Sequence, residues 1–286
     1  MKSIENRVQQ SISKQNMFKP DDKISLALSG GKDSVSLLHI LSKIEGRFPK
    51  TKLVAVTIDE GILGYREEAI RIAEENCGRL GVEHNIFSFK ELFGSNLDEI
   101  IKAAEKLESE LSFCSYCGVL RRRALNIAAR KVEATKLAMA HNLDDEVQSM
   151  LMNLLRGDIS RASRKEPAII ESEPAFIQRV KPLCEVLERE VAFYAFLKRI
   201  KFQTILCPYL ESSIRQDVRL FLNQMEGKHN GMKFAVYRTF KKLQQRLDSF
   251  DNKDQFRFCE VCGEPTTGRV CRVCQLLEEL RLNNKE

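Results

Sequence analysis

Leu26-Ala-Leu-Ser-Gly-Gly-Lys-Asp-Ser34 is the stretch that decides the fold. The apolar run from Ile24 to Leu28 reads as a buried strand. Ser29, Gly30 and Gly31 then make a tight turn, and a helical pattern starts near Lys32 with Val35, Leu37, Leu38, Ile40 and Leu41. Strand, glycine-rich turn and helix start together form a phosphate cradle, in which backbone N–H groups and the positive end of the helix dipole face an anion. Neither G-x-x-x-x-G-K-[ST] nor G-x-G-x-x-G is present, so this is not one of the two commonest nucleotide loops.

Outward from that loop, apolar strand patterns alternate with helical ones. Strands are expected at 23–28, Lys52 to Ile58, Val82 to Phe89, Lys136 to Ala140 and Thr204 to Pro208, with helices between them. Such alternation predicts an α/β fold with a doubly wound, mainly parallel five-stranded sheet. Ligands of such sheets bind beyond the carboxyl ends of the strands. Asp59 ends the second strand, placed either to meet a ribose hydroxyl or a magnesium ion or to cap a turn. His141-Asn-Leu-Asp-Asp145 follows the fourth strand, and His141 is read with Asp144 and Asp145 as part of a site. Residues 159–182 carry three prolines and read as an irregular excursion, with a hairpin as one form of it.

The chain has 286 residues, 43% hydrophobic and 30% charged, with a net charge of +6. These values suit a folded protein with an anionic partner. No apolar run approaches the ~20 residues of a membrane span, and the opening Met-Lys-Ser-Ile-Glu leads into no signal-like segment, so a cytoplasmic protein is expected. Nine cysteines, an odd number, argue against a disulfide framework. Cys259-x-x-Cys262 and Cys271-x-x-Cys274, eight residues apart, have the spacing of a structural zinc site. Cys114-x-x-Cys117 opens a basic helix carrying Arg121, Arg122 and Arg123, and a further basic helical stretch over 212–248 holds Lys241 and Lys242; both are candidates for nucleic-acid contact. Four regions are expected: an N-terminal helix (1–20), a catalytic domain (21–210), a basic helical extension (211–254) and a zinc ribbon with tail (255–286).

Ser29-Gly-Gly-Lys-Asp-Ser34 resembles the PP-loop of ATP pyrophosphatases. Asp59-Glu-Gly-Ile-Leu-Gly-Tyr-Arg66, Cys114-Ser-Tyr-Cys117, His141-Asn-Leu-Asp-Asp145 and Cys207-Pro208 follow in order. Together they resemble the TtcA/TtuA group of tRNA thiolases, which includes the archaeal and eukaryotic wobble-uridine enzymes. The resemblance implies that ATP adenylates the C2 carbonyl oxygen of a tRNA pyrimidine, after which sulfur displaces AMP. It implies an ATP site at Leu28, Ser29, Gly30, Gly31, Lys32, Asp33, Ser34, Asp59, His141 and Asp145. It also implies Mg2+ and a 4Fe-4S cluster on Cys114, Cys117 and Cys207. Catalytic roles then fall to Lys32, Asp33, Asp144 and the three cysteines, with tRNA, a sulfur donor (sulfide, persulfide or a ubiquitin-like thiocarboxylate) and a second copy of the chain as partners. The first cysteine is Cys77, so the N-terminal Cys-rich ribbon of many relatives is not found; the Gly61-x-x-Gly64-Tyr65-Arg66 motif and the terminal ribbon favour uridine over cytidine. A lysidine-type or amidotransferase-fed PP-loop enzyme explains the loop but leaves the three cysteines idle. A non-catalytic zinc-ribbon RNA-binding protein leaves Lys32-Asp33 unexplained.

Overall fold

The structure, a computed structural model, describes residues 2–46, 50–158, 177–210, 214–247 and 257–282. Five parallel strands form one sheet in the order β3-β2-β1-β4-β5, with β1 at Lys23–Ala27, β2 at Lys52–Asp59, β3 at Glu83–Ser88, β4 at Lys136–Ala138 and β5 at Gln178–Val180. The chain leaves β1 toward β2 and β3, then returns to the other side at β4. The crevice between the ends of β1 and β4 is therefore the topological switch point, where open α/β sheets bind ligands.

Two cores flank the sheet, and the strands' two-residue period divides side chains between them. Leu53 and Ala55 of β2 join the first core, while Val54, Val56 and Ile58 join the second. On the first side lie α1 (Lys2–Lys14), α2 (Lys32–Glu45) and α3 (Arg66–Leu80). They are joined there by α7 (Leu143–Leu155), α8 (Glu188–Leu197), α9 (Ile214–Lys228) and α10 (Met232–Leu247). Ile4, Val8 and Ile12 of α1 share this core with Val218 and Leu222 of α9 and with Tyr237 and Phe240 of α10. The basic extension thus closes one face of the sheet. It is two helices and not one, because Gly231, at φ +88°, turns the chain between α9 and α10.

The second side holds α4 (Phe89–Phe93), α5 (Leu97–Lys106) and α6 (Phe113–Lys131). A small ribbon, β6 (Arg257–Phe258), β7 (Pro265–Thr266) and α11 (Arg272–Glu279), packs on the outer face of α6. Its Val273, Leu276 and Leu277 enter the same core as Leu120 and Ala124. Glu264 fastens the dock, accepting from Arg123 Nη1 at 2.8 Å and from Arg130. Charge-assisted pairs of this kind are roughly twice as strong as neutral ones.

The fifth strand is not where the sequence places it. Residues 204–208 form no strand; β5 is Gln178–Val180, a short polar edge segment inside the stretch expected to be irregular. Ile205 and Leu206 are 50% and 74% exposed, so their apolar run has no buried face to form. The remainder of the proline-bearing excursion, 159–176, lies outside the described residues. Residues 201–210 instead cross the carboxyl edge of the sheet as a strap, with Gln203 N–H donating to the Gly30 carbonyl at 2.9 Å.

Leu120 is fully buried where α6 meets both sheet and ribbon core. Leu120→Ala should cost about 2–5 kcal/mol, read from the denaturation midpoint of the full chain; a loss below ~1 kcal/mol contradicts this placement.

Candidate active site

Four consecutive carbonyls in the β1–α2 loop are each held from outside. Leu28 O accepts from Thr57 Oγ1 at 2.8 Å, Ser29 O from Arg66 Nη1 at 3.2 Å, Gly30 O from Gln203 N at 2.9 Å and Gly31 O from Ser34 Oγ at 2.9 Å. In a planar trans peptide the N–H points opposite to its C=O, so pinning these carbonyls fixes the amide directions from Ser29 to Lys32. Ser29 N–H also donates to Ser34 Oγ at 3.2 Å. Gly30 has φ +85°, and a Cβ there would stand 2.6 Å from the Ala69 carbonyl oxygen. Only glycine meets both demands.

Leu28, Ser29, Gly31, Asp33, Ser34, His141 and Asp145 line one cleft of about 360 Å³ at the switch point. Asp145 belongs to the first turn of α7, where Asn142 is the cap: its side chain accepts from Asp145 N–H at 3.1 Å, and its own N–H donates back to Asp145. Burial raises the pKa of both Asp33 and Asp145, and in Asp33 the nearby Asp145 and Glu188 add to it against the opposing pull of Lys32. Two carboxylates raised in this way form an oxygen-rich corner suited to a hard divalent cation. Lys32 Nζ bridges Asp33 at 2.9 Å and Glu188 at 2.8 Å. Burial works against its ammonium, but Asp33 and Glu188 more than offset that and hold its pKa up.

Four expected site residues do not line this cleft: Gly30 is behind the loop against Ala69, Lys32 lines the neighbouring hollow, and Asp144 and Asp59 serve other contacts. Asp144 is buried in an ion pair with Lys233 and accepts from Glu188 N–H at 2.8 Å, facing the neighbouring hollow of about 480 Å³. It ties α7 to α8 and α10, because adjacent residues on a helix point in different directions. Asp59 caps a turn, accepting from Gly61 N–H at 2.8 Å, and its place at the cleft is taken by Glu60.

Cys114 and Cys117 open α6, and Cys207 reaches them from the strap. Cys114 Sγ lies 3.6 Å from Tyr209 O, and the Phe113 ring packs edge-on against Tyr209 at 5.9 Å. Burial pushes the Cys117 thiol up to about 11, with Cys207 and Cys114 adding to it and Arg121 opposing it. The Cys207 thiol is raised by burial and by Cys114. The three sulfurs therefore feel one another. They are set wider than a single ion's shell, since among the described residues only the terminal quartet has all ligand atoms within 4.8 Å. A wider trio of thiolates fits an iron–sulfur cluster, in which each cysteine takes a different iron.

The basic helix does other work than expected. Arg121 turns into the cleft, donating from Nε to Glu60 at 2.6 Å and from Nη2 to Cys117 Sγ at 3.0 Å. Arg123 is spent on the ribbon, through Glu264 and through Cys262 Sγ at 2.9 Å. Arg122 is exposed and does not line the cleft, and Lys241 and Lys242 on α10 are exposed as well. Glu60, Tyr65, Arg66 and Gln203 complete the cleft and were not singled out individually, although all but Gln203 lie within the Asp59–Arg66 motif.

In the ribbon, Cys271 N–H donates to Cys259 Sγ at 3.2 Å. Burial resists ionisation of Cys259, but backbone N–H groups of Cys271, Cys262 and Val261 pull it down to about 6. Burial and their sulfur neighbours hold Cys271 and Cys274 up, and the four sulfurs, all within 4.8 Å of one another, have the spacing that fits one tetrahedral ion.

A PP-loop at the switch point, opening toward three cysteines, defines a nucleotide-dependent enzyme with a sulfur-rich second site. The PP-loop domain family matches residues 1–222. The chain is 36% identical to the tRNA 2-thiolation protein NcsA of Haloferax volcanii, across 97% of this chain and 90% of the relative. It is 34% identical to the cytoplasmic tRNA 2-thiolation protein 1 of Chlamydomonas reinhardtii, across 97% and 77%. The solved structure of the U34-tRNA thiolase NcsA from Methanococcus maripaludis with its [4Fe-4S] cluster matches with a TM-score of 0.84 at 31% identity, over 98% of this chain and 87% of that one. The chain belongs to the PP-loop family, within its group of tRNA 2-thiolation proteins.

Gly30→Ala forces a Cβ against the Ala69 carbonyl at a positive φ. Binding of a fluorescent ATP analogue should fall at least ~10-fold, a loss of about 1.4 kcal/mol; unchanged affinity contradicts the loop's assignment.

Proposed function

We propose that the chain is an ATP-dependent tRNA-uridine 2-thiolase acting on the wobble uridine, U34. One observation carries this reading: Arg121 lines the nucleotide cleft and at the same time donates to Cys117 Sγ at 3.0 Å, so the cleft and the cysteine trio share a wall. Chemistry begun on one side of that wall can be finished on the other without the tRNA base leaving the site.

The residues divide the work by charge. The ordered amides of Ser29 to Lys32 and the N-terminus of α2 hold phosphate oxygens. Asp33 and Asp145 hold Mg2+, and Lys32 supplies the countercharge that lets pyrophosphate depart. The uridine C2 carbonyl oxygen attacks the α-phosphorus, the α–β bridging bond breaks, and pyrophosphate leaves. Sulfide-level sulfur (HS−) then adds at C2 and AMP departs with the former carbonyl oxygen; a persulfide donor needs in addition two electrons from a thiol reductant, and a thiocarboxylate donor releases its acyl group as carboxylate by hydrolysis. Cys114, Cys117 and Cys207 hold a 4Fe-4S cluster. When bound, that cluster supplies an iron without a protein ligand on which sulfur can be carried. Sulfide, a persulfide or a ubiquitin-like thiocarboxylate all suit the exposed approach at Cys114. Cys259, Cys262, Cys271 and Cys274 hold zinc, which stabilises the ribbon against α6. Arg122, Lys241 and Lys242 are surface contacts for the tRNA backbone. A homodimer working in the cytoplasm completes the reading; among the described residues no helix is long and apolar enough to cross a membrane.

Anaerobic purification followed by metal analysis tests this. About four irons and about one zinc per chain are expected. Cys207→Ala should lose the iron and all thiolation while keeping zinc and ATP binding. Zinc without iron after anaerobic reconstitution, or a thiolating Cys207→Ala protein, overturns the assignment.

A further inference from the structure

Glu60 is a carboxylate only 2% exposed, and it is shared by two arginines. Its Oε2 pairs with Arg66 Nε at 2.7 Å, and its Oε1 accepts from Arg121 Nε at 2.6 Å. A carboxylate this deeply buried is costly unless its charge is matched, and removing one partner of such a group is strongly destabilising. Each arginine has a second hold. Arg66 reaches back to the sheet, donating from Nη2 to Ile58 O at 2.7 Å, and grips the PP-loop through Ser29 O at 3.2 Å. Arg121 donates onward to Cys117 Sγ at 3.0 Å. The links run from the Ser29–Gly30 peptide through Arg66, Glu60 and Arg121 to the Cys117 sulfur by hydrogen bonds, except between Arg66 Nε and Glu60 Oε2, where the contact is an ion pair at 2.7 Å without hydrogen-bond alignment.

We propose that Glu60 is a positioning residue that couples the nucleotide loop to the cysteine trio, so that occupancy of the loop is felt at Cys117. The Ser29 carbonyl held by Arg66 belongs to the same planar peptide as the Gly30 N–H, on its opposite side. A phosphate drawing on the loop amides therefore polarises the Arg66 contact. Glu60 is one rigid carboxylate with an oxygen committed to each guanidinium. A phosphate on the Gly30 N–H makes the Ser29 carbonyl the stronger acceptor, so Arg66 gives more to the loop and less to Glu60; Glu60 then draws harder on Arg121, which donates less strongly to the Cys117 sulfur. Donors to ligand sulfurs are among the levers that tune an iron–sulfur centre. The sequence hides this arrangement because Glu60 stands beside Asp59, the more obvious carboxylate at the strand end. This role rests on the cluster reading given under the proposed function.

The test uses the full-length, cluster-loaded protein reduced anaerobically with dithionite, and α,β-methylene-ATP as a nucleotide that cannot be split. In the wild type, saturating nucleotide should change the electron paramagnetic resonance signal of the reduced cluster. Glu60→Gln preserves shape, and its iron-loaded, nucleotide-saturated form should lose that change. Should Glu60→Gln fail to load iron, Arg66→Lys cuts the chain at the loop end with Glu60 intact, and the same loss is expected. A wild-type signal indifferent to nucleotide, or a variant responding as the wild type does, overturns the role of Glu60. A wild-type protein that takes up no iron instead overturns the proposed function itself.

Discussion

The close passage of Gly30 beneath the carbonyl of Ala69 is the constraint on which the rest of the site depends. Helix α3 can lie that near the loop only because one residue has no Cβ. With α3 in place, Arg66 at its start is carried to the Ser29 carbonyl, and Glu60 and Arg121 follow from Arg66. The strap then crosses on the outside, where Gln203 takes the Gly30 carbonyl and the Tyr65 carbonyl at once. The same crossing delivers Cys207. One backbone approach thus sets both the amide cradle and the third cysteine.

Helix α6 is the beam between the two groups of cysteines. Its first turn provides Cys114 and Cys117, its inner face packs on the sheet, and its outer arginines hold the ribbon. Arg123 touches Cys262 Sγ, while two residues earlier Arg121 touches Cys117 Sγ. Its three consecutive arginines, Arg121 to Arg123, lie in the third turn, well inside the helix. Glu60 on the cleft side and Glu264 on the ribbon side supply the carboxylates that neutralise Arg121 and Arg123.

What could be read from the sequence was what local chemistry determines. The loop, the buried strands around it and the Cys quartet follow from glycine geometry, apolar runs and ligand spacing. Helix α2 begins at Lys32, as its pattern indicates. The misplacements arose where tertiary context decides. Gln178–Val180 is three residues of edge strand with no apolar period, and it pairs only because β4 offers a free edge. The Ile205-Leu206 run has a strand's composition, yet it crosses the edge with Ile205 at the rim of the cleft and Leu206 largely exposed. Asp59 and Glu60 are chemically alike, and the strand's pleat alone sends Glu60 to the cleft. Likewise Asp144 and Asp145 are neighbours in sequence, but the turn of α7 gives one to Lys233 and the other to the cleft. Arg121 and Arg123 read as surface charge because their partners, Glu60 and Glu264, are distant in the chain.

The central claim is that ATP cleavage in the cleft and sulfur insertion beside it belong to one reaction on one base. The direct measurement incubates the anaerobically purified, cluster-loaded protein with an unmodified tRNA bearing a wobble uridine, Mg-ATP and sulfide. Nucleosides and nucleotides are then quantified by mass spectrometry. The account predicts 2-thiouridine at position 34, with AMP and pyrophosphate formed in step with it. ADP and phosphate as products, thiolation of a cytidine instead, or AMP released without any thiolated base would contradict it.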